Sequence, residues 1–265
     1  MKHIVRAVHA LLLASMFWLP LAHAGRPCGE TEPKAETVMQ ALELAQKTKA
    51  ALEASDAQVA LIARVGQDLS RYGLRYSHVA YVWRDHPQGR WMVVHELNQC
   101  GTAQSGLFNE GLGNFFMDDL FAYDTLIVIP STATQQRIAR LLADHTAAAL
   151  HDAHYNMLAY AYSTRYQNSN QWLLEVLAAA YSSEPITNRE QAQSWLKLAG
   201  YQPITIAIPA MTRLGGRMFR ANIAFDDHPF DRRMADQIDT VTVDSVLRFV
   251  DQREKKARRI ALSLQ

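Results

Sequence analysis

The chain holds 265 residues, 49% of them hydrophobic, with 27 Lys and Arg against 26 Asp and Glu and a formal net charge of +1. Such a composition suits one domain of ordinary size with a substantial core. Balanced charge, with no basic patch and no aromatic–basic alternation, argues against a nucleic-acid partner. The one dense basic run, "REKKARR" at 253–259, reads as a solvated helix end.

Residues 1–24 are expected to be a secretory signal peptide. Lys2 and Arg6 open it, Ala10 to Leu21 is apolar and closes on Pro20, and Ala22-His23-Ala24 sets small residues where a signal peptidase reads. The apolar stretch is shorter than the roughly 20 residues of a membrane span, so a retained anchor is the lesser reading. No later segment is long and apolar enough to cross a bilayer. Residues 25–265 are therefore expected to form a single exported domain, periplasmic or beyond. In an oxidising compartment Cys28 and Cys100 are expected to pair, closing a long loop and contributing about 4 kcal/mol. The competing reading makes Cys100 a catalytic thiol.

Residues 34–53 follow as an exposed amphipathic helix with Val38, Leu42, Leu44, Ala45 and Leu52 on one side. Val59 to Val65 is a short apolar segment. Val79 to Trp83 and Trp91 to Leu97, joined by "RDHPQGR", have the composition of a hairpin. The Gly-rich segment 101–114 is expected as a surface loop, Thr125 to Ile129 as a strand, and 133–150 as a helix. A helix follows from 168 to 181 with Trp172, Leu173, Val176, Leu177 and Ala180 inward. Thr187 and Glu190 form a capping box for the next, which ends at Gly200. "PITIAI" and "RANIAF" are expected strands, "LGG" at 214–216 a tight turn, and "DTVTVDSVLRFV" a strand running into a helix. The fold class is α+β, a mostly antiparallel sheet packed with helices.

The candidate site is His78, His95 and Ser169. Partner strands of a hairpin hold facing residues about 5 Å apart, so the two imidazoles can meet, His95 orienting His78 as a general base. Ser169 stands at a helix start, where the dipole favours developing negative charge. The plainer reading makes Ser169 or Asn168 an N-cap, worth about 1 kcal/mol, and each histidine a satisfied polar residue at a sheet edge. Arg165 and Tyr166 are donors for an anionic group or an oxyanion. Asp226, Asp227 and His228 have the donor types of a divalent-cation site, but Pro229 points to a turn in which Asp caps backbone donors. Asp227 and His228 are instead expected to line the cleft of His78. No zinc pattern, Walker motif or dinucleotide fingerprint is present, and no metal or cofactor is expected.

The segments "RYSHVAYVWRD", "VVHELNQCGT", "LGNFFMDDLFAY", "YSTRYQNSNQWLLE" and "FDDHP" resemble a family of exported bacterial proteins, the domain of unknown function numbered 2145. More distantly, "SHVAYVW", "VVHEL" and an Asn, a small nucleophile and an aromatic at a helix start resemble the circularly permuted papain-like superfamily. That group includes NlpC-type cell-wall peptidases and lecithin retinol acyltransferase relatives. The resemblance implies a permuted papain-like fold and an amide or acyl hydrolase or acyltransferase, with Ser169 where relatives carry cysteine. A hydroxyl is far less acidic than a thiol and needs base help throughout its attack. The alternative is an inactive member that binds a peptidoglycan peptide, a lipid or a protein. A third reading, a partner protein of an exported assembly, predicts an exposed apolar strip along residues 38–52.

Overall fold

This computed structural model describes residues 32–118 and 120–264. Its strands are β1 (Val59–Val65), β2 (His78–His86), β3 (Gly89–Asn98), β4 (Ser105–Glu110), β5 (Ala122–Ile129), β6 (Ile204–Ala207), β7 (Gln237–Thr240) and β8 (Arg258–Ser263). Six of them lie side by side as β4-β3-β2-β1-β5-β8, every neighbouring pair antiparallel, while β6 and β7 form a separate ribbon. The helices are α1 (Ala35–Glu53), α2 (Leu112–Met117), α3 (Thr132–Ala143), α4 (Thr146–Ala149), α5 (Ser169–Tyr181), α6 (Arg189–Leu198), α7 (Ala210–Phe219), α8 (Phe230–Met234) and α9 (Val243–Arg253). The expected α+β class and antiparallel sheet are what the chain adopts.

β1 is buried along its whole length because it sits inside the sheet with helices on both faces. Alternation along the strands divides the core in two. Val59, Leu61, Val79, Tyr81 and Trp83 face α5 and its neighbours, whereas Ala60, Ile62, Ala80, Val82 and Val93 face α1 and α2. α5 carries apolar residues almost all round, as a helix enclosed by other elements does.

Several elements differ from expectation. α1 is not an exposed helix: Ala41, Leu44, Ala45 and Leu52 are buried against the sheet, and Met39 and Leu42 are left outside. The continuous apolar strip predicted for a partner protein is thereby spent on the core. The helix expected over 133–150 breaks at His145, whose φ of +66° is left-handed. The capping reciprocity of α6 is shifted by one residue: Asn188 accepts the Gln191 N–H at 2.9 Å, and the Gln191 side chain accepts from Thr187 N at 2.8 Å. The Gly-rich loop contains β4, and "REKKARR" runs from α9 into β8. "LGG" lies inside α7 rather than in a turn, and "RANIAF" forms turns rather than a strand.

Candidate functional site

His78 opens β2, and the Tyr81–Val94 pairing sets His95 of β3 diagonally across from it on the same face. His78 Nε2 lies 3.0 Å from His95 Nδ1. His95 Nε2 lies 2.6 Å from Glu110 Oε1 at the end of β4, whose register against β3 places it diagonal to His95 in the same way. The chain of contacts fixes the tautomers. Glu110 accepts, so His95 carries its proton on Nε2 and offers Nδ1 as an acceptor. His78 then donates from Nε2 and keeps Nδ1 as its basic nitrogen. Both rings are buried, and Phe115 of α2 covers them at centroid distances of 6.0 and 5.6 Å. Burial holds both imidazoles below their ordinary range; the Arg64 guanidinium lowers His78 further, and the Glu110 bond opposes the effect on His95. Arg64 pairs opposite His78 in β1, stacks over Phe115 at 4.7 Å, and binds Asp118 at 2.7 Å.

Ser169 belongs to the other side of the sheet. Asn168 caps α5, its side chain accepting the Gln171 N–H at 2.9 Å and donating to Thr240 Oγ1 at 3.2 Å. Ser169 is the first helical residue. α5 packs on the face of Val79 and Tyr81, and the Tyr81 hydroxyl donates to the Leu173 carbonyl at 2.7 Å. Its first turn meets β2 through Asn170, which accepts the Val79 N–H at 3.1 Å and donates to the Ser77 carbonyl at 3.4 Å. Those contacts flank His78, but its ring turns the other way with Ala80 and Val82, toward Phe115. Ser169 Oγ makes no hydrogen bond to either imidazole. Its neighbour is Tyr155, whose hydroxyl burial pushes up to about 12 against the pull of Ser169.

Behind Ser169 lies a buried polar network. Arg189 of α6 binds Glu175 at 2.9 Å, Asp152 at 3.3 Å, and the carbonyls of Thr164 and Tyr166 at 2.9 and 2.8 Å. Gln167 and Gln193 each donate to Glu175, at 2.7 and 2.8 Å. Ser105 Oγ lies 3.0 Å from His151 Nε2. Glu96, next to His95 but on this face, is wholly buried and its carboxyl oxygens make no well-formed hydrogen bond. Burial pushes its carboxyl up to about 8, with the Ser105 hydroxyl pulling the other way.

The remaining expected residues stitch loops together. Arg165 binds Asp226 at 2.7 Å, and the Tyr166 hydroxyl donates to the same carboxylate at 3.1 Å. Asp227 accepts the Tyr160 N–H at 2.7 Å, and His228 Nε2 donates to the Leu158 carbonyl at 2.8 Å. None of these contacts reaches His78 or His95. Among the described residues no group of three His, Cys, Asp or Glu could hold a metal ion. Cys100 is not a free thiol; Cys28, and with it the expected pair, lies outside the described residues, as does the expected signal segment. Two surface depressions, of ≈ 350 Å³ beside Gln136 and Arg140 and ≈ 360 Å³ beside Tyr72 and Arg248, border none of the three candidate catalytic residues.

The histidine pair is legible from the hairpin. Glu110 is not, because it stands in a Gly-rich segment with little strand composition, and Asn170 is one of several polar residues at the start of a helix, with nothing in the sequence to tie it to β2. A sequence model of a bacterial family described as "Uncharacterized protein conserved in bacteria (DUF2145)" matches residues 51–250. No curated protein matches the chain, and no solved structure does.

Proposed function

The chain belongs to the bacterial family DUF2145, and on that footing we propose that it is an exported envelope protein that binds a cell-wall peptide or lipid ligand without cleaving it through Ser169. The observation that carries this reading is the division of the site by the sheet. His78 and His95 are engaged with each other and Glu110 beneath Phe115, while Ser169 starts a helix packed on the opposite face. A serine hydroxyl attacks only with a base within hydrogen-bond reach. On this reading the permuted papain-like motifs mark descent: the imidazole pair is retained as a buried clamp joining β2, β3 and β4, and Ser169 serves the start of α5.

The test is intact-mass analysis of protein made in an expressing bacterium, before and after treatment with a fluorophosphonate. Cleavage after Ala24 is expected, and no adduct on the folded protein. One adduct, lost in both Ser169→Ala and His78→Ala, overturns the binding reading in favour of a serine hydrolase. Binding itself is read as a rise in Tm on adding cell-wall muropeptides or phospholipid vesicles, since a ligand of the native state alone stabilises it.

A further inference from the structure

Between β6 and β7 the chain makes an excursion, residues 208–236, that carries α7 and α8. α7 is amphipathic in the inverse sense. Arg213 turns inward, donating to the Ile208 carbonyl and binding Asp236 at 2.6 Å, and so pins the polar side of the helix to the ribbon. Met211, Leu214, Met218 and Phe219 follow the i, i+3, i+7, i+8 spacing of a single helix face, and all four are exposed, Met211 by 78%. α7 has no buried residue. Phe230 and Met234 of α8 are exposed as well, and α8 returns to the same end of the ribbon through Asp236. A helix covered only by water is expected to turn its apolar face inward; this one is held with that face outward.

The charge beside the face selects its occupant. From Ala210 to Phe225 there is no Asp or Glu, while Arg213, Arg217 and Arg220 are present. Arg213 is spent on Asp236, whereas Arg217 and Arg220 make no ion pair among the described residues. Arg233 of α8 stacks on Phe230 at 5.9 Å. Apolar side chains flanked by unpaired arginines fit the boundary between acyl chains and anionic headgroups, where long cationic side chains reach the phosphates.

We propose that the outward face of α7 docks on an anionic phospholipid surface. The proposal rests on the binding reading above and names its ligand class. Full chain, in the form an expressing bacterium leaves it, is sedimented with phosphatidylcholine vesicles and with mixed phosphatidylcholine–phosphatidylglycerol vesicles. Binding to the mixed vesicles alone is expected, weakened by salt. The double variant Met218→Ser, Phe219→Ser and the single variant Arg217→Glu are each expected to lose about tenfold in partitioning. Because these side chains are exposed, the Tm of each variant should match the parent. Absence of binding to the mixed vesicles, or equal binding by parent and variants, overturns the proposal. So does sedimentation equilibrium that finds a dimer which Met218→Ser, Phe219→Ser converts to a monomer, since a second copy then covers the face. A fluorophosphonate adduct on Ser169 would overturn the binding reading while leaving the vesicle result to stand or fall by itself.

Discussion

Glu96 and His95 are adjacent in sequence yet face opposite sides of β3, and their protons carry opposite consequences. Burial raises the Glu96 carboxyl from 4.5 to about 8, so the folded chain holds a proton that the unfolded chain releases. Stability attributable to Glu96 is therefore complete below about pH 4.5 and is lost as pH rises toward about 8. Glu96→Gln keeps the shape of the protonated acid. It is expected to flatten that slope and to raise stability near pH 8 by about 1–3 kcal/mol, measured by urea unfolding across pH. An unchanged slope would mean that Glu96 is ionised in the folded chain. The imidazoles behave inversely. Their folded values are depressed, so the stability they contribute is present above the ordinary histidine value of 6.5 and is lost as pH falls below it. His78→Asn is expected to lessen acid destabilisation between pH 6.5 and the onset of acid unfolding, read as Tm against pH; an acid limb as steep as the parent's would refute a neutral, buried His78.

At the scale of elements, α5 and α6 are joined by ions more than by apolar contact at one point, the Glu175–Arg189 pair. Removing one partner of a buried pair leaves an uncompensated charge. Arg189→Met is expected to cost about 3–5 kcal/mol in thermal unfolding, and Glu175→Gln in the same chain to recover part of it. Additive losses would mean that the two charges do not depend on each other. The long periodic elements were legible in the sequence: α1 and α5 fall within a residue of their expected bounds, and the β2–β3 hairpin is where β-branched and aromatic residues placed it. What sequence hid was set by tertiary partners. "SGLFNE" is poor in strand formers and becomes β4 because β3 offers it an edge. "LGG" has turn composition, but Arg213 anchors it within a helix. The Ser169–His78 expectation joined two motifs in chain order, and order does not say which face of a strand a side chain takes. One residue of strand phase separates the two.

For the whole molecule the sheet is completed on the β5 side by β8. β8 pairs with β5 from Asp124–Ser263 to Ile129–Arg258, and Ile260 and Leu262 pack on the α1 side of the core. Truncation after Arg253 is expected to lower Tm markedly and to produce aggregation on heating, because β5 then becomes an apolar, unpaired edge. Soluble, unchanged unfolding of the truncated chain would show that β8 is dispensable. The same pairing sets a timetable. A chain delivered from its N-terminus, by ribosome or by a translocation channel, presents β5 well before its mate exists, with some 130 residues still to come. During that interval β5 has one neighbour, β1, and one open side. β8 thus acts as a clasp on β5, and the interval before it closes is when a chaperone, or another copy of the chain, can reach the open strand.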